Sequence, residues 1–156
     1  MAGRVHQINV SPGGVPKLPV EEAYVSASGV KGDRQANRRL HGGPDKAVCL
    51  YSLEVIEALR AEGHSIFAGA AGENLTLEGV DWNRVVPGAR LRVGPVLLAV
   101  TAPTNPCHQN AGWFVDGHFG RMHQRRHPGW SRMYAEVLEE GLVRTGDRAE
   151  ILEGDQ

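Results

Sequence analysis

Short runs of apolar residues, cut by glycine- and proline-bearing turns, recur along this chain, and most of them carry the two-residue period of a strand. Arg4 to Val10 places Val5, Ile8 and Val10 among polar residues and stops at Ser11-Pro12-Gly13-Gly14, which predicts a first strand, with a second short one over Glu22 to Ser26. Ala47 to Tyr51 is continuously apolar and predicts a strand buried on both faces. Ser52 then supplies an N-cap hydroxyl, Leu53, Ile56 and Leu59 recur at helical spacing, and Gly63 provides the stop, so a helix is predicted from Leu53 to Ala61. Further along, Asn74 to Leu77 predicts a short strand, and Arg90 to Val93 with Val96 to Thr101 predicts a hairpin about Gly94-Pro95. A second helix is predicted from Trp130 to Glu139. A final strand from Leu142 to Leu152 is interrupted by the turn Thr145-Gly146-Asp147. Gly29 to Lys46 and Pro103 to Pro128 carry no period, so both predict loops laid over the surface.

The length of 156 residues suits one well-filled core, and the chain is read as a single domain, residues 1–156. Twenty glycines and nine prolines demand many tight turns, which favours a mainly β, barrel-like fold with a few short helices over a helical bundle. A closed or nearly closed barrel would gather the polar loops at one rim. The formal charge of −1 gives no overall attraction to nucleic acid or to an anionic membrane surface, so anion binding has to be local. The longest apolar run, Pro95 to Ala102, falls far short of the ~20 residues of a membrane-spanning helix. No basic-then-apolar secretory signal opens the sequence, and the two cysteines form no disulfide framework, which makes the cytoplasm the expected location.

Those two cysteines sit in opposite settings. Cys49 lies inside the apolar strand and reads as an inert small hydrophobe. Cys107 closes Pro103-Thr104-Asn105-Pro106-Cys107 just beyond a strand, a proline-fixed position near solvent where a reactive sulfur belongs. His108 follows it, with His118, Arg121, His123, Arg125, Arg126 and His127 beyond, and neighbouring cations raise the thiolate fraction of a thiol. The thiolate has three uses: nucleophile, persulfide sulfur carrier, or soft ligand for a thiophilic metal. Zinc is the rival reading, but the Cys107-His108 adjacency and the irregular later spacing match no finger or ribbon.

His41-Gly42-Gly43-Pro44-Asp45-Lys46 sets an imidazole, exposed backbone amides and an ammonium within six residues, a combination suited to phosphate or a similar anion and equally to an ordinary turn. Lys46 is also placed to be an edge lysine whose stem covers apolar surface. Glu73 and Asn74, ahead of Leu75, read either as a turn bonding its own backbone or as a supporting carboxylate and a ligand donor. Asp33-Arg34 reads as an ion pair pinning a loop or as a ligand contact.

Taken together, Gly32-Asp33-Arg34-Gln35-Ala36, His41 to Ala47, Gly72-Glu73-Asn74-Leu75-Thr76, Pro106-Cys107 and the closing Gly129-Trp130 through Gly146-Asp147 resemble, in order and spacing, the MOSC domain named after the C-terminal domain of molybdenum cofactor sulfurase, in its compact stand-alone bacterial form. The resemblance implies a MOSC-type β-barrel with the cysteine at the pocket mouth. It implies binding of molybdenum cofactor, or carriage of sulfur on Cys107 for transfer to a metal–sulfur acceptor. One alternative within it is a molybdenum-dependent reductase of N-hydroxylated compounds; a non-catalytic anion- or partner-binding module stands outside it. Carried over, Cys107 and His41 are the catalytic candidates and Cys107 the molybdenum ligand. Arg34, Gly42, Gly43, Asp45, Lys46, Glu73, Asn74, Thr76 and His108 are the cofactor-binding candidates, with Gly42 and Gly43 admitting the pterin phosphate to the backbone. No pyridoxal phosphate site is evident, so a carrier role calls for a separate cysteine desulfurase or other sulfur donor as partner. Where relatives often carry a cation beside the cysteine, this chain has Thr104-Asn105 before it and His108-Gln109-Asn110 after it, leaving Arg121, Arg125 or Arg126 to supply the charge.

Overall fold

A computed structural model describes residues 2–33, 43–106 and 108–153. Eleven strands are present among these: β1 (Gly3–Val10), β2 (Leu18–Val20), β3 (Glu22–Ser26), β4 (Gly29–Val30), β5 (Val48–Ser52), β6 (Leu75–Glu78), β7 (Arg90–Val93), β8 (Val96–Pro103), β9 (Met133–Glu139), β10 (Gly141–Arg144) and β11 (Arg148–Ile151). One α-helix, α1 (Leu53–Ala61), and several 3-10 turns complete the described elements. Among the described residues no helix is long and apolar enough to cross a membrane.

Seven strands close into a barrel in the order β11-β7-β8-β9-β5-β6-β1, with β1 pairing back onto β11 through Gly3 and Arg4. Closure removes the open edges that an unclosed sheet of this size would present to other chains. The alternating apolar positions point inward: Val5 and Ile8 on β1, Leu75 and Leu77 on β6, Leu91 and Val93 on β7, and Val96, Leu98 and Val100 on β8 are all buried. A three-stranded sheet, β10-β3-β4, adds Ala23, Val25, Val30 and Val143 to the same core.

Every residue of β5 is buried, as its continuous apolar run predicts. It lies parallel to β6, whereas the other barrel pairs are antiparallel, and a parallel pair needs a crossover. That crossover is α1. Ser52 caps it by accepting the Val55 N–H at 3.2 Å, Ile56 and Leu59 face the core, and Gly63, at φ +100°, ends it in the left-handed conformation.

Trp130 to Glu139 is not a helix. Its main part is β9, held between β5 and β8 by pairings such as Cys49 with Tyr134 and Val100 with Ala135. The run Met-Tyr-Ala-Glu-Val-Leu-Glu satisfies both periods, and two flanking strands with unpaired backbone groups decide between them. The remaining expected elements are present within a residue or two of their predicted bounds; β2, β4 and the 3-10 turns carried no pattern of their own.

Candidate functional site

Ile8 pairs with Leu75, Leu75 with Leu50, Leu50 with Met133, and Met133 with Pro103, so one rung crosses five adjacent strands. Asn9 and Asn74 lie just beyond this rung on one side, and Arg132 and Thr104 on the other. Backbone bonds tie neighbours on each side: Asn9 N–H to Asn74 O at 2.7 Å, Asn74 N–H to Cys49 O at 2.8 Å, and Thr104 N–H to Arg132 O at 3.0 Å. Side-chain contacts bring the two sets together: Arg132 Nη1 donates to Ala71 O at 2.7 Å, and Cys49 Sγ lies 3.9 Å from the Thr104 hydroxyl. Through these bonds and contacts the loop after β1, the segment before β5, the loop before β6 and the segment after β8 meet at one mouth.

Asp33 ties this mouth together. Its Oδ1 accepts the Ser11 N–H at 3.0 Å, and its Oδ2 accepts both Lys17 Nζ at 2.7 Å and Asn74 Nδ2 at 2.8 Å. Lys17 and Asp33 form a nearly solvent-free ion pair, with side-chain exposures of 6% and 5%. Asp33 therefore pins a loop, through Lys17. Asn74 also accepts the Cys49 N–H at 2.9 Å, and its side chain is buried.

Glu73 is fully buried. Its Oε2 accepts the Gly69 N–H at 3.0 Å and the Thr76 hydroxyl at 2.8 Å, while Oε1 has no partner. Burial pushes its carboxyl above the ordinary range, against the opposing pull of those hydrogen bonds and of Arg132. Thr76 in turn accepts Asn9 Nδ2 at 3.1 Å. Glu73, Asn74 and Thr76 are thus turned inward as braces of the mouth, bonded to other strands as well as to their own turn.

Asp45 and Lys46 lie in a 3-10 turn, Pro44–Lys46, entered through Gly43 at φ +105°, a conformation that favours glycine. The turn is anchored by Thr101, whose hydroxyl donates to Asp45 O. Asp45 is exposed, and Lys46 is half-buried with its ammonium 5.6 Å from the Tyr134 ring centre. His108 is exposed and opens the turn His108–Trp113, in which Asn110 is buried. Arg34, His41, Gly42 and Cys107 lie outside the described residues. Among the described residues, no three His, Cys, Asp or Glu side chains group closely enough to hold a metal ion.

Cys49 is buried and unbridged, and burial raises its thiol pKa, so this sulfur stays protonated and inert, as its apolar surroundings in the sequence imply. Its Sγ lies 3.9 Å from the hydroxyl of buried Thr104, which places the start of the segment leading to Cys107 against the core. Ser131 reinforces that hold by donating its hydroxyl to Thr104 O at 3.2 Å.

Arg121 does not face the mouth as a free cation. It makes a two-pronged pair with Glu62, at 3.0 and 2.8 Å, and its guanidinium lies 3.9 Å from the Trp130 ring centre. Arg125 and Arg126 are exposed. The cation that does reach the cysteine segment is Arg132, 5% exposed, whose Nη1 donates to Ala71 O at 2.7 Å and whose Nη2 donates to Asn105 O at 3.3 Å, two residues before Cys107. Neither Arg132 nor Lys17 stands out in the sequence. Arg132 falls inside the stretch that reads as a helix, and Lys17 lies between two prolines with no motif around it.

The model of the MOSC domain matches residues 37–150. The chain belongs to the MOSC family. It is 34% identical over 141 residues to the uncharacterized protein YflK of Bacillus subtilis, a match covering 89% of this chain and 63% of that one. It is 33% identical over 103 residues to protein YiiM of Escherichia coli, covering 63% of this chain and 46% of that one. The matches therefore span less than two thirds of either curated relative. Among solved structures, one described as a hypothetical protein superposes with a TM-score of 0.78 at 26% identity, covering 99% of this chain and 70% of that one. YiiM of Geobacillus stearothermophilus superposes with a TM-score of 0.72 at 25% identity, covering 97% of this chain and 75% of that one.

Proposed function

We propose that this MOSC protein uses Cys107 at the barrel mouth to bind molybdenum cofactor, to carry sulfur for a metal–sulfur acceptor, or both. One observation carries the reading. Four of the five segments that resemble the family's motifs contribute described residues to one end of the barrel, where buried side chains hold Thr104 and Asn105, the residues that lead to Cys107. A reactive thiol has to be presented from a fixed backbone, and this anchoring supplies one.

The donor set fits an anionic, phosphate-bearing pterin. Lys17, Lys46 and Arg132 bring positive charge, Arg132 Nε is a buried donor with no acceptor, and Gly43 leaves backbone uncovered. When bound, molybdenum supplies two-electron chemistry with oxygen or sulfur groups, and Cys107 is the soft donor suited to it. The protein's own part is to hold the anionic end, to keep the cysteine segment in place through Ser131, Thr104 and Arg132, and to keep Cys49 out of the reaction by burial. In the carrier role, the Cys107 thiolate attacks the outer sulfur of a desulfurase persulfide. A new S–S bond forms, the donor's S–S bond breaks, and the donor cysteine leaves as a thiolate.

Incubation with a cysteine desulfurase and cysteine is expected to add one sulfur atom that is absent in Cys107→Ser and retained in Cys49→Ala. Expression in a cofactor-producing host is expected to give molybdenum that Cys107→Ser lacks. Failure of both gains excludes the proposal.

A further inference from the structure

Arg132 is a buried charge without a counter-charge. It makes no ion pair among the described residues; its Nη groups meet only the neutral carbonyls of Ala71 and Asn105, and its Nε–H meets no acceptor. Beside it stands a second buried cation. A Cβ placed on Gly72 would lie 3.9 Å from both Arg132 Nη1 and Lys17 Cε, so the two side chains flank this glycine, itself at φ +97°. Lys17 is matched by Asp33. The other buried carboxyl of this end, Glu73, is bonded instead to the Gly69 N–H and the Thr76 hydroxyl. Arg132 is thus left without a carboxylate in ion-pair contact among the described residues. An unpaired buried ion is strongly unfavourable, and a bound anion removes that cost.

We infer that Arg132, with Lys17 beside it, is an anchor for the phosphate group of a ligand at the barrel mouth. The inference rests on the proposed reading of this end as a cofactor-binding mouth and assigns its anion contact to residues that carry no motif. A phosphate oxygen is the acceptor that the Nε–H lacks, and its charge balances the guanidinium. The two backbone carbonyls fix the guanidinium plane, so that the donor is oriented before the ligand arrives.

The test uses the full chain from a host that makes no molybdenum cofactor, titrated with inorganic phosphate and with glycerol 3-phosphate at constant ionic strength, and read by thermal unfolding and calorimetry. Wild type is expected to gain about 5–10 °C in Tm at a hundred times the dissociation constant. Arg132→Met is expected to lose this gain; removal of the charge and release of the Ala71 and Asn105 carbonyls act on its starting Tm in opposite directions, so each protein's gain is read from its own phosphate-free Tm. Arg132→Lys is expected to retain part of the gain and stands in if the methionine variant fails to fold. A response to the ester at least as strong as that to inorganic phosphate assigns the site to an esterified ligand, and a stronger response to inorganic phosphate assigns it to the free ion; either supports the anchor. No saturable response in wild type, an undiminished response in Arg132→Met, or as complete a loss in Arg132→Lys as in Arg132→Met would overturn it. The titration involves no reaction at Cys107. If only the phosphate response fails, the anchor falls; if only the Cys107-dependent sulfur and molybdenum gains fail, the functional proposal falls and the anchor stands.

Discussion

Replacing Glu73 by Gln isolates the energetics of a buried carboxyl at the barrel mouth. In the folded chain Glu73 is sealed from water, and burial raises its pKa, so over the interval between the ordinary carboxyl value of about 4.3 and its folded value it holds a proton that the unfolded chain has released. The unfolded state then binds one proton fewer, and stability falls with rising pH by about 1.4 kcal/mol per unit on account of this residue. That contribution is fully present below the unfolded pKa and disappears as pH rises through the folded one. Gln keeps an oxygen for the Gly69 N–H and the Thr76 hydroxyl and puts an unpartnered amide where the protonated acid carries an equally unpartnered O–H on Oε1. Glu73→Gln should therefore lie close to wild type in stability near pH 4.5 and gain on it as pH rises. The difference should move in the variant's favour by about 1.4 kcal/mol per unit up to the folded pKa, or roughly 3–5 °C in Tm for a domain of this size. Urea unfolding of both proteins at half-unit intervals from pH 4.5 to 7 measures it. Parallel stability profiles, or a variant that loses ground on wild type as pH rises, would show that the folded chain carries Glu73 ionised and would overturn this expectation.

Two further substitutions test the frame that holds the mouth. Arg121→Ala removes both the pair with Glu62 and the stack on Trp130, and should cost about 1–2 kcal/mol while shifting Trp130 fluorescence to the red. Because Arg121 holds the Glu62 carboxyl below its usual pKa, the ion-pair part of that loss should be present at neutral pH and vanish as pH falls through the folded value; a loss independent of pH would contradict the pairing. Gly69→Ala forces a side chain into φ +89° and against the Lys17 carbonyl oxygen, and should cost more than about 2 kcal/mol by urea unfolding. A change within about 0.5 kcal/mol would mean that the loop before β6 is not packed on Lys17.

How far the sequence carries differs between frame and mouth. Strands such as β1, β5 and the β7–β8 pair declare themselves because their apolar positions repeat at the spacing their burial requires, and α1 is legible to the residue because both of its ends carry their own stop signals. β9 is illegible for a physical reason. Its residues suit either period, and only the unpaired edges of β5 and β8, distant in sequence, make it a strand. At the mouth, motif spacing brings out Glu73, Asn74 and Asp45 by position, but whether each faces the core or solvent depends on bonds to Asn9, Asp33 and Thr101, which no local pattern encodes. Arg132 and Lys17 are the extreme case. A single cation in a sequence looks like surface, and only the packing of the loops around Gly72 buries these two together.

The account as a whole turns on Cys107 as the point at which something other than protein is attached. Intact-mass spectra under native conditions, taken on wild type, Cys107→Ser and Cys49→Ala proteins expressed side by side in a cofactor-producing host, test that directly. The account predicts mass beyond the polypeptide, as cofactor or added sulfur, on wild type and Cys49→Ala and none on Cys107→Ser. The same spectrum for all three proteins, with or without added mass, would contradict it.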